Sequence, residues 1–587
     1  MKNESNYNKY PIIIVPELFT EHWENWLLIS QQLNTHLSAI AKTVKVLVVE
    51  CYHGVLEEEV INGILTKINA TKVVASSDAM YSESEINRRF EQDVTDDEIF
   101  GFMTRAHMSS FFDPQKVEAL RKSIAEVQEG IVIVYGIGAA YLQSQFDCLA
   151  YVDMARWEIQ LRFRKNLISN IGIENKEDRD SLQYKRAFFV DWRVCDRFKK
   201  SLMQSWDYVL DTNIPSSPKM VTGKGVMMGL HKACHQPFRV VPYFDSGPWG
   251  GQWMKEVCDL DPKMPNYAWC FDCVPEENSL YLQFGDMRFE IPSINLMFAY
   301  PKQILGDSVY GRFGDEFPIR FDFLDTMGGG NLSLQVHPIT EYIQEKFGMH
   351  YTQDESYYML DTKEDAVVYL GMKENVNPEM MIQELIMAQY TGVFDVKKHI
   401  GIYPVKKHDH ILIPAGTIHC SGSNSMVLEI SATPYIFTFK LWDWARLGLD
   451  GRPRPINIEH GEKVIQYERK ETWVQNELLN QTKIVAEGDG WVEEHTGLHE
   501  REFIETRRHW FTKKVHHTTD GSVNVLNLIE GREVIVESPS NVFEPYIVHY
   551  AETFIVPSSV KEFTIRPYGE SEGKRCATIK AFIKHHA

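Results

Sequence analysis

Four side chains of this 587-residue chain have the types and the setting to hold a metal ion: Gln335 and His337 in LSLQVHP, Glu355 in DESYYML, and His419 in PAGTIH. Gln335 and His337 stand two apart in a β-rich stretch, so in a strand they project from one face. Glu355 and His419 must arrive from other strands. An amide oxygen, two imidazoles and a carboxylate meeting at one point make a four-ligand site for one borderline divalent ion, zinc above all. A lone strand histidine is more often packed or hydrogen-bonded than metal-bound, and the chain has 21 histidines. What singles these out is the joint order: Gln-x-His, then Glu, then a His held by a Pro-x-Gly-Thr turn. A competing cluster, the CxxC of Cys270 and Cys273 with His231, Cys234, His235 and Cys258 nearby, has intervals that match no common zinc knuckle or ribbon.

The elements that must position these groups fall into two kinds. From Pro11 to about Asn213, apolar runs (PIIIV, VKVLVVE, KVVAS, IVIVYG, CLAYVD, AFFVDWR) read as buried strands, with helical patterns such as DPQKVEALRKSIAEVQEG between them. Residues 1–230 are therefore expected to form an α/β domain, a doubly wound parallel sheet resembling a degenerate P-loop kinase in pattern only. Gly136 and Gly138 follow a strand where a phosphate loop would lie, but no Gly-Lys-Ser/Thr accompanies them, so a structural turn is expected. The Pro/Gly/Ser/Lys-rich stretch between Pro215 and Gly250 reads as the domain boundary.

Beyond it, aromatic and β-branched runs separated by turns (NSLYLQFG, HILIPAG, MVLEISATPYIFTFKLW) predict antiparallel sheets closing as a jelly-roll barrel over residues 237–480. ENVNPEMMIQELIMAQYTG, with Asn before Pro, early acids and a terminal Gly, predicts an inserted helix near 377–392. Residues 481–587 alternate in strand fashion again and predict a second barrel. The formal charge of -20 disfavours nucleic acid and anionic membrane as partners. Nine cysteines, an odd number, fit reduced thiols. The short apolar run near the amino terminus and the lack of any membrane-length segment give the expectation of a cytoplasmic protein.

LSLQVHP, the Glu355 segment, HILIPAGTIHCSGSNSMVLEI and FTFKLWDWARLGLDGRPRPINIEHGEKVI resemble, in that order, the zinc-binding core of type I phosphomannose isomerases (mannose-6-phosphate isomerases). Trp249 in GPWGG and FPIRFDFLD extend the match upstream, and VPSS in the tail stands where the first barrel has PAGT. The resemblance implies two cupin-like barrels, one zinc ion per chain, and an enzyme of carbohydrate metabolism. Its reaction would be aldose–ketose isomerisation, mannose 6-phosphate to fructose 6-phosphate or a related sugar, through a cis-enediol.

Such chemistry needs a cation to steady the enediolate and a group to move the proton. Glu429, ten residues after His419, is the candidate base. Lys440 stands where the family has an arginine, and Arg446 and Arg454 follow as further catalytic or substrate-binding cations. Trp249 and Ser333 complete the expected substrate-binding set. Two family lysines fall here on Asp322 and Gln353, which predicts rewritten phosphate recognition. The alternative is a catalytically silent, metal-containing sugar-binding or sensing protein.

Overall fold

The computed structural model describes residues 5–433, 436–497, 499–500 and 502–584. The chain is mixed α/β and packs as two compact units: Ile12–Ala233 with Ser279–Ala299, and Met1–Pro11 with Cys234–Asn278 and Tyr300–Ala587. These differ from the expected segments. The segments 237–480 and 481–587, expected as two barrels, share one unit apart from residues 279–299, which lie with the α/β unit, and the chain up to Pro11 belongs to the unit of the carboxy-terminal segments.

In the α/β unit, strands Lys72–Ala75, Gly130–Gly136, Val44–Cys51, Cys148–Asp153 and Tyr208–Asp211 run parallel in that spatial order. Lys219–Thr222 and His22–Glu24 then add antiparallel at one edge. The apolar residues of the central strands Val44–Cys51, Gly130–Gly136, Cys148–Asp153 and Tyr208–Asp211 are mostly buried on both faces, as a parallel sheet requires, whereas Val73 on the edge strand is exposed. PIIIV does not join this sheet: Ile12–Ile14 pairs parallel with Ser279–Phe284 in a separate three-stranded sheet. AFFVDWR is no strand either. Ala187–Asp191 is a π-helical turn running into the helix Trp192–Leu202. An apolar run buried on all sides carries no period to tell the two states apart, and here the flanking helical residues decide.

The stretch read as a linker is also structured. Lys219–Thr222 is a strand, Gly223–Ala233 is a helix, and a Cβ on Gly223 would lie 2.0 Å from Trp206 O. Its glycines serve close packing rather than flexibility.

The Gly136–Gly138 loop is filled from within. Glu50 accepts the N–H groups of Gly138 and Ala140, each at 2.7 Å, where a phosphate oxygen would have to sit. Burial pushes the Glu50 carboxyl up to about 8 against those donors. A cleft of about 870 Å³ opens at the carboxyl ends of Val44–Cys51, Lys72–Ala75 and Gly130–Gly136. Glu57, Glu58, Glu59 and Glu83 line it, an electrostatic setting hostile to nucleotide phosphates.

In the other unit the strands are antiparallel. One sheet orders His410–Ile413, Glu355–Thr362, Ser425–Ala432, Ile319–Asp325, Trp269–Cys273 and Tyr243–Asp245. A second orders Ile400–Pro404, Val367–Met372, His419–Ser421, Leu334–Val336 and Phe439–Trp442. The helix Pro378–Thr391 interrupts them, with Asn377 accepting the Met380 N–H at its start and Gly392 left-handed (φ 71) at its end.

The carboxy-terminal strands form sheets of six and four. Phe511, Leu526, Leu528 and Phe554 of the first pack with Val534, Val536, Phe563 and Ile565 of the second in one core. Among the described residues no helix is long and apolar enough to cross a membrane.

Candidate metal centre and its cationic border

Strand Leu334–Val336 buries Leu334 and Val336 and turns Gln335 to the opposite face. Gln335 pairs across the sheet with His419 on one side and Lys440 on the other, so the three side chains share one rung. Glu355 opens a strand of the other sheet, which therefore faces this one across the site.

His337, Glu355 and His419 converge, each at most 1% exposed. His419 Nε2 lies 2.8 Å from Glu355 Oε1, His337 Nε2 lies 3.2 Å from Glu355 Oε2, and the Gln335 amide end lies 3.3 Å from His419 Nε2. Each imidazole is aimed by its other nitrogen: His337 Nδ1 donates to Phe437 O at 3.1 Å and His419 Nδ1 to Thr417 O at 2.9 Å. That tautomer leaves both Nε2 lone pairs pointing inward, as metal-bound histidines require.

His337 Nε2 and Glu355 Oε1 are buried and make no hydrogen bond. Burial favours a protonated Glu355; the charge of the two imidazoles in their protonated form outweighs burial and holds the carboxyl well below its usual range, a role a bound cation would take over when both Nε2 atoms are deprotonated. Tetrahedral zinc, with bonds of about 2.0–2.2 Å, needs donor atoms roughly 3.3 Å apart; the 3.2 and 3.3 Å spacings meet this, and the 2.8 Å between His419 Nε2 and Glu355 Oε1 is shorter.

Local sequence explains the aim of His419. In Pro414–Thr417, Gly416 is left-handed (φ 87), and a Cβ there would lie 2.9 Å from Val464 O. Arg469, which sequence reading missed, staples the turn by donating to Pro414 O, Ala415 O and Thr417 Oγ1.

Beside the ligands lies a cationic cluster built on Asp443, a second residue missed. Asp443 accepts from Ser333 Oγ (2.8 Å), Arg454 Nη1 (2.9 Å), and Arg446 Nε and Nη2 (3.0 and 2.7 Å). Burial, with the charges of Arg454 and Arg446, brings the Lys440 ammonium down to about 8 against the pull of Asp443. An acid between cations in KLWDWAR was the available signal. Trp249 is buried against Trp269, ring centroids 5.7 Å apart, and its carbonyl accepts the Gly330 N–H. It braces the glycine turn before Ser333 and is 5% exposed.

Glu429 sits in a third cluster. Its Oε1 accepts from Arg320 Nη2 (2.5 Å), Ser431 Oγ (2.9 Å) and Gln353 Nε2 (3.3 Å), and Gln353 Nε2 also lies 3.0 Å from Glu355 Oε2. Gln353 thus links a metal ligand to Glu429. Asp322 is opposite Glu429 in register and pairs with Arg320 Nε at 2.6 Å. Arg320, two residues along the same strand face, pairs with both Asp322 and Glu429, so Asp322 faces a cation that the sequence comparison of lysine positions leaves out. Burial, then Glu355, push the Glu429 carboxyl up, opposed by Arg320. Burial likewise carries Asp322 up to about 7.

Comparison with known proteins divides the chain in the same place. The profile of a domain of unknown function, DUF8485, matches residues 26–235. "Probable mannose-6-phosphate isomerase GmuF" of Bacillus subtilis is 28% identical over 152 residues, 26% of this chain and 45% of that protein, so less than half of that relative's length is spanned. Mannose-6-phosphate isomerase ManA of the same organism is 23% identical over 243 residues, 39% of this chain and 68% of ManA. The crystal structure of a mannose 6-phosphate isomerase from Bacillus subtilis aligns with a TM-score of 0.48 at 19% identity, covering 59% of this chain and 99% of that one.

Proposed function

We propose, from the premise that this chain is a divergent relative of the mannose-6-phosphate isomerases, that it is a metal-dependent aldose–ketose isomerase acting on a phosphorylated sugar. The observation that carries this reading is the buried Glu355 carboxylate between two imidazoles whose Nδ1 protons are already committed to backbone carbonyls. Gln335, His337, Glu355 and His419 would hold the ion. When bound, a divalent cation polarises a sugar carbonyl and favours the negative charge of an enediolate.

The chain's own groups supply the rest. Lys440, on the ligand rung, sets a positive charge beside the reacting end of a sugar. Arg446 and Arg454, held by Asp443, with the Ser333 hydroxyl, present a net positive border suited to the anionic end. Glu429 is the carboxyl that would hold the transferred proton, with Gln353 fixing its distance from the ligand set. Zinc and a cytoplasmic setting belong to this proposal.

One observation favours the alternative, a silent sugar-binding protein: Glu429 Oε1 is occupied by three donors, one of them the Arg320 guanidinium. Proton exchange decides between them. Zinc-loaded protein with mannose 6-phosphate in deuterated water is expected to incorporate deuterium at C2, followed by mass spectrometry. Saturable sugar binding with neither exchange nor conversion to the ketose would sink the isomerase reading and leave the binding one.

A further inference from the structure

The turn Asp443–Arg446 grips three consecutive residues of the segment that leads into the ligand strand. Arg446 Nη1 donates to Asn331 O at 2.6 Å, Trp444 Nε1 donates to Leu332 O at 2.7 Å, and Ser333 Oγ donates to Asp443 Oδ1 at 2.8 Å. Gln335 and His337 stand two and four residues beyond Ser333. On its other side the segment is tied by Leu332 N to Ser421 O, on the strand that carries His419. The Trp444 ring also lies 5.5 Å from that of Tyr369, on the strand pairing with His419–Ser421. One indole therefore touches the backbone before one ligand strand and a side chain beside the other.

The backbone of this turn is unusual. Trp444 and Ala445 are both left-handed, φ 56 and 55, and neither is glycine. Bulky residues rarely hold that conformation, and a consecutive pair persists only where surrounding bonds over-determine it. An extended continuation of Phe439–Trp442 would carry the indole and the Arg446 guanidinium onward along the strand. The left-handed pair turns both back onto residues 331 and 332.

We propose that the Trp444–Ala445 turn is a positioning clasp for the ligand pair Gln335 and His337, so that metal affinity depends on a residue that supplies no ligand atom. The clasp rests on the reading that these residues hold zinc. It acts through backbone: the indole N–H fixes Leu332 O, the segment 331–333 is set in register, and the two ligands reach the point where Glu355 and His419 already meet. Asp443 and Arg446 belong also to the cationic border, whereas Trp444 serves the clasp alone.

The test uses full-length protein, zinc as the probe, and a competing chelator to read affinity. Trp444→Phe keeps the ring and removes the N–H, and is expected to weaken zinc binding about tenfold or more, the scale of lost outer-shell support. Ala445→Gly frees the left-handed turn from strain. It is expected to weaken zinc several-fold while the thermal midpoint of metal-free protein stays level or rises, a split that a merely structural residue would not give. Trp491→Phe, in the carboxy-terminal barrel, should bind zinc as wild type does. If Trp444→Phe fails to fold without metal, Ala445→Gly decides. Wild-type zinc affinity in both turn variants, with His337→Ala still impaired, overturns the clasp alone. Absence of zinc binding by the wild type overturns the metal reading and the clasp with it.

Discussion

Both site imidazoles commit Nδ1 to a backbone carbonyl, so each presents a single lone pair that no side chain of similar volume replaces. His337→Ala and His419→Ala are each expected to reduce zinc from near-stoichiometric to a small fraction, read by elemental analysis after dialysis. On the proposed reading, Lys440 would set the pH dependence. Its ammonium, brought down to about 8 by burial and by Arg454 and Arg446, is charged below that pH and neutral above it. Turnover of a sugar phosphate should therefore fall as pH rises through about 8. Lys440→Arg, whose guanidinium stays charged, should move the fall to higher pH. An alkaline limb unchanged between the two pH–rate profiles would assign it to another group. Asp322→Lys, which restores a family lysine, would set a second buried cation against Arg320 and strip that guanidinium of one partner. The expected result is a loss of about 3–5 kcal/mol, as when one half of a buried pair is removed. Thermal unfolding checks this, and affinity for mannose 6-phosphate should not improve.

At the scale of elements, the Pro414–Thr417 turn joins local sequence to the metal centre. Gly416 holds φ 87 with Val464 O and the Gln466 side chain packed over it, and Thr417 O then receives the His419 proton. Gly416→Ala is expected to cost about 1–3 kcal/mol from the left-handed backbone alone, with crowding in addition. Because the carbonyl that aims His419 moves with the turn, zinc affinity should fall together with the unfolding midpoint. A stable variant with wild-type zinc affinity would show that the turn has room to rearrange. Local rules served well where an element announces its own ends. Asn377, Pro378 and Gly392 bracket the inserted helix, and Asp113 with Pro114 opens another. They failed on AFFVDWR, whose residues are buried all round and so show no periodicity.

On the scale of the molecule, the unit of antiparallel sheets begins before the α/β unit in sequence. Tyr7 OH donates to Asp272 at 2.6 Å, Asn8 N donates to Glu552 at 2.6 Å, and Arg239 Nη1 donates to Asn8 O at 2.7 Å. Arg239, Asp272 and Glu552 are paired and at most 1% exposed. Sequence composition places a clean boundary near Pro237, and a fragment starting there would be expected to fold and keep the metal. The contacts predict the reverse. Without residues 5–10, the buried carboxylates Asp272 and Glu552 lose partners, each unmet polar group costing about 1–3 kcal/mol. The fragment 237–587 should aggregate or unfold at lower denaturant than the full chain, by size exclusion and urea titration. A well-behaved, zinc-binding fragment would show that the amino-terminal arm is dispensable.

The order Gln-x-His, Glu and Pro-x-Gly-Thr-x-His could be read from the chain alone because each piece is short. Alternation puts two ligands on one face, and a glycine turn fixes a third. Four of the parallel strands from Val44 onward and the antiparallel pattern beyond residue 300 were legible for the same reason, since period and turn chemistry act over a few residues; the fifth parallel strand, Tyr208–Asp211, was not read. What surrounds the ligands was not legible. Arg320 against Asp322 and Glu429, Asp443 beneath two arginines, Arg469 on the PAGT turn, Trp444 on Leu332 and Tyr7 on Asp272 meet across separations of up to 265 residues, the last being the widest. No local signal marks such pairs. A buried charge is placed where the tertiary fold supplies its counter-charge, and only the packed chain decides which residue that is.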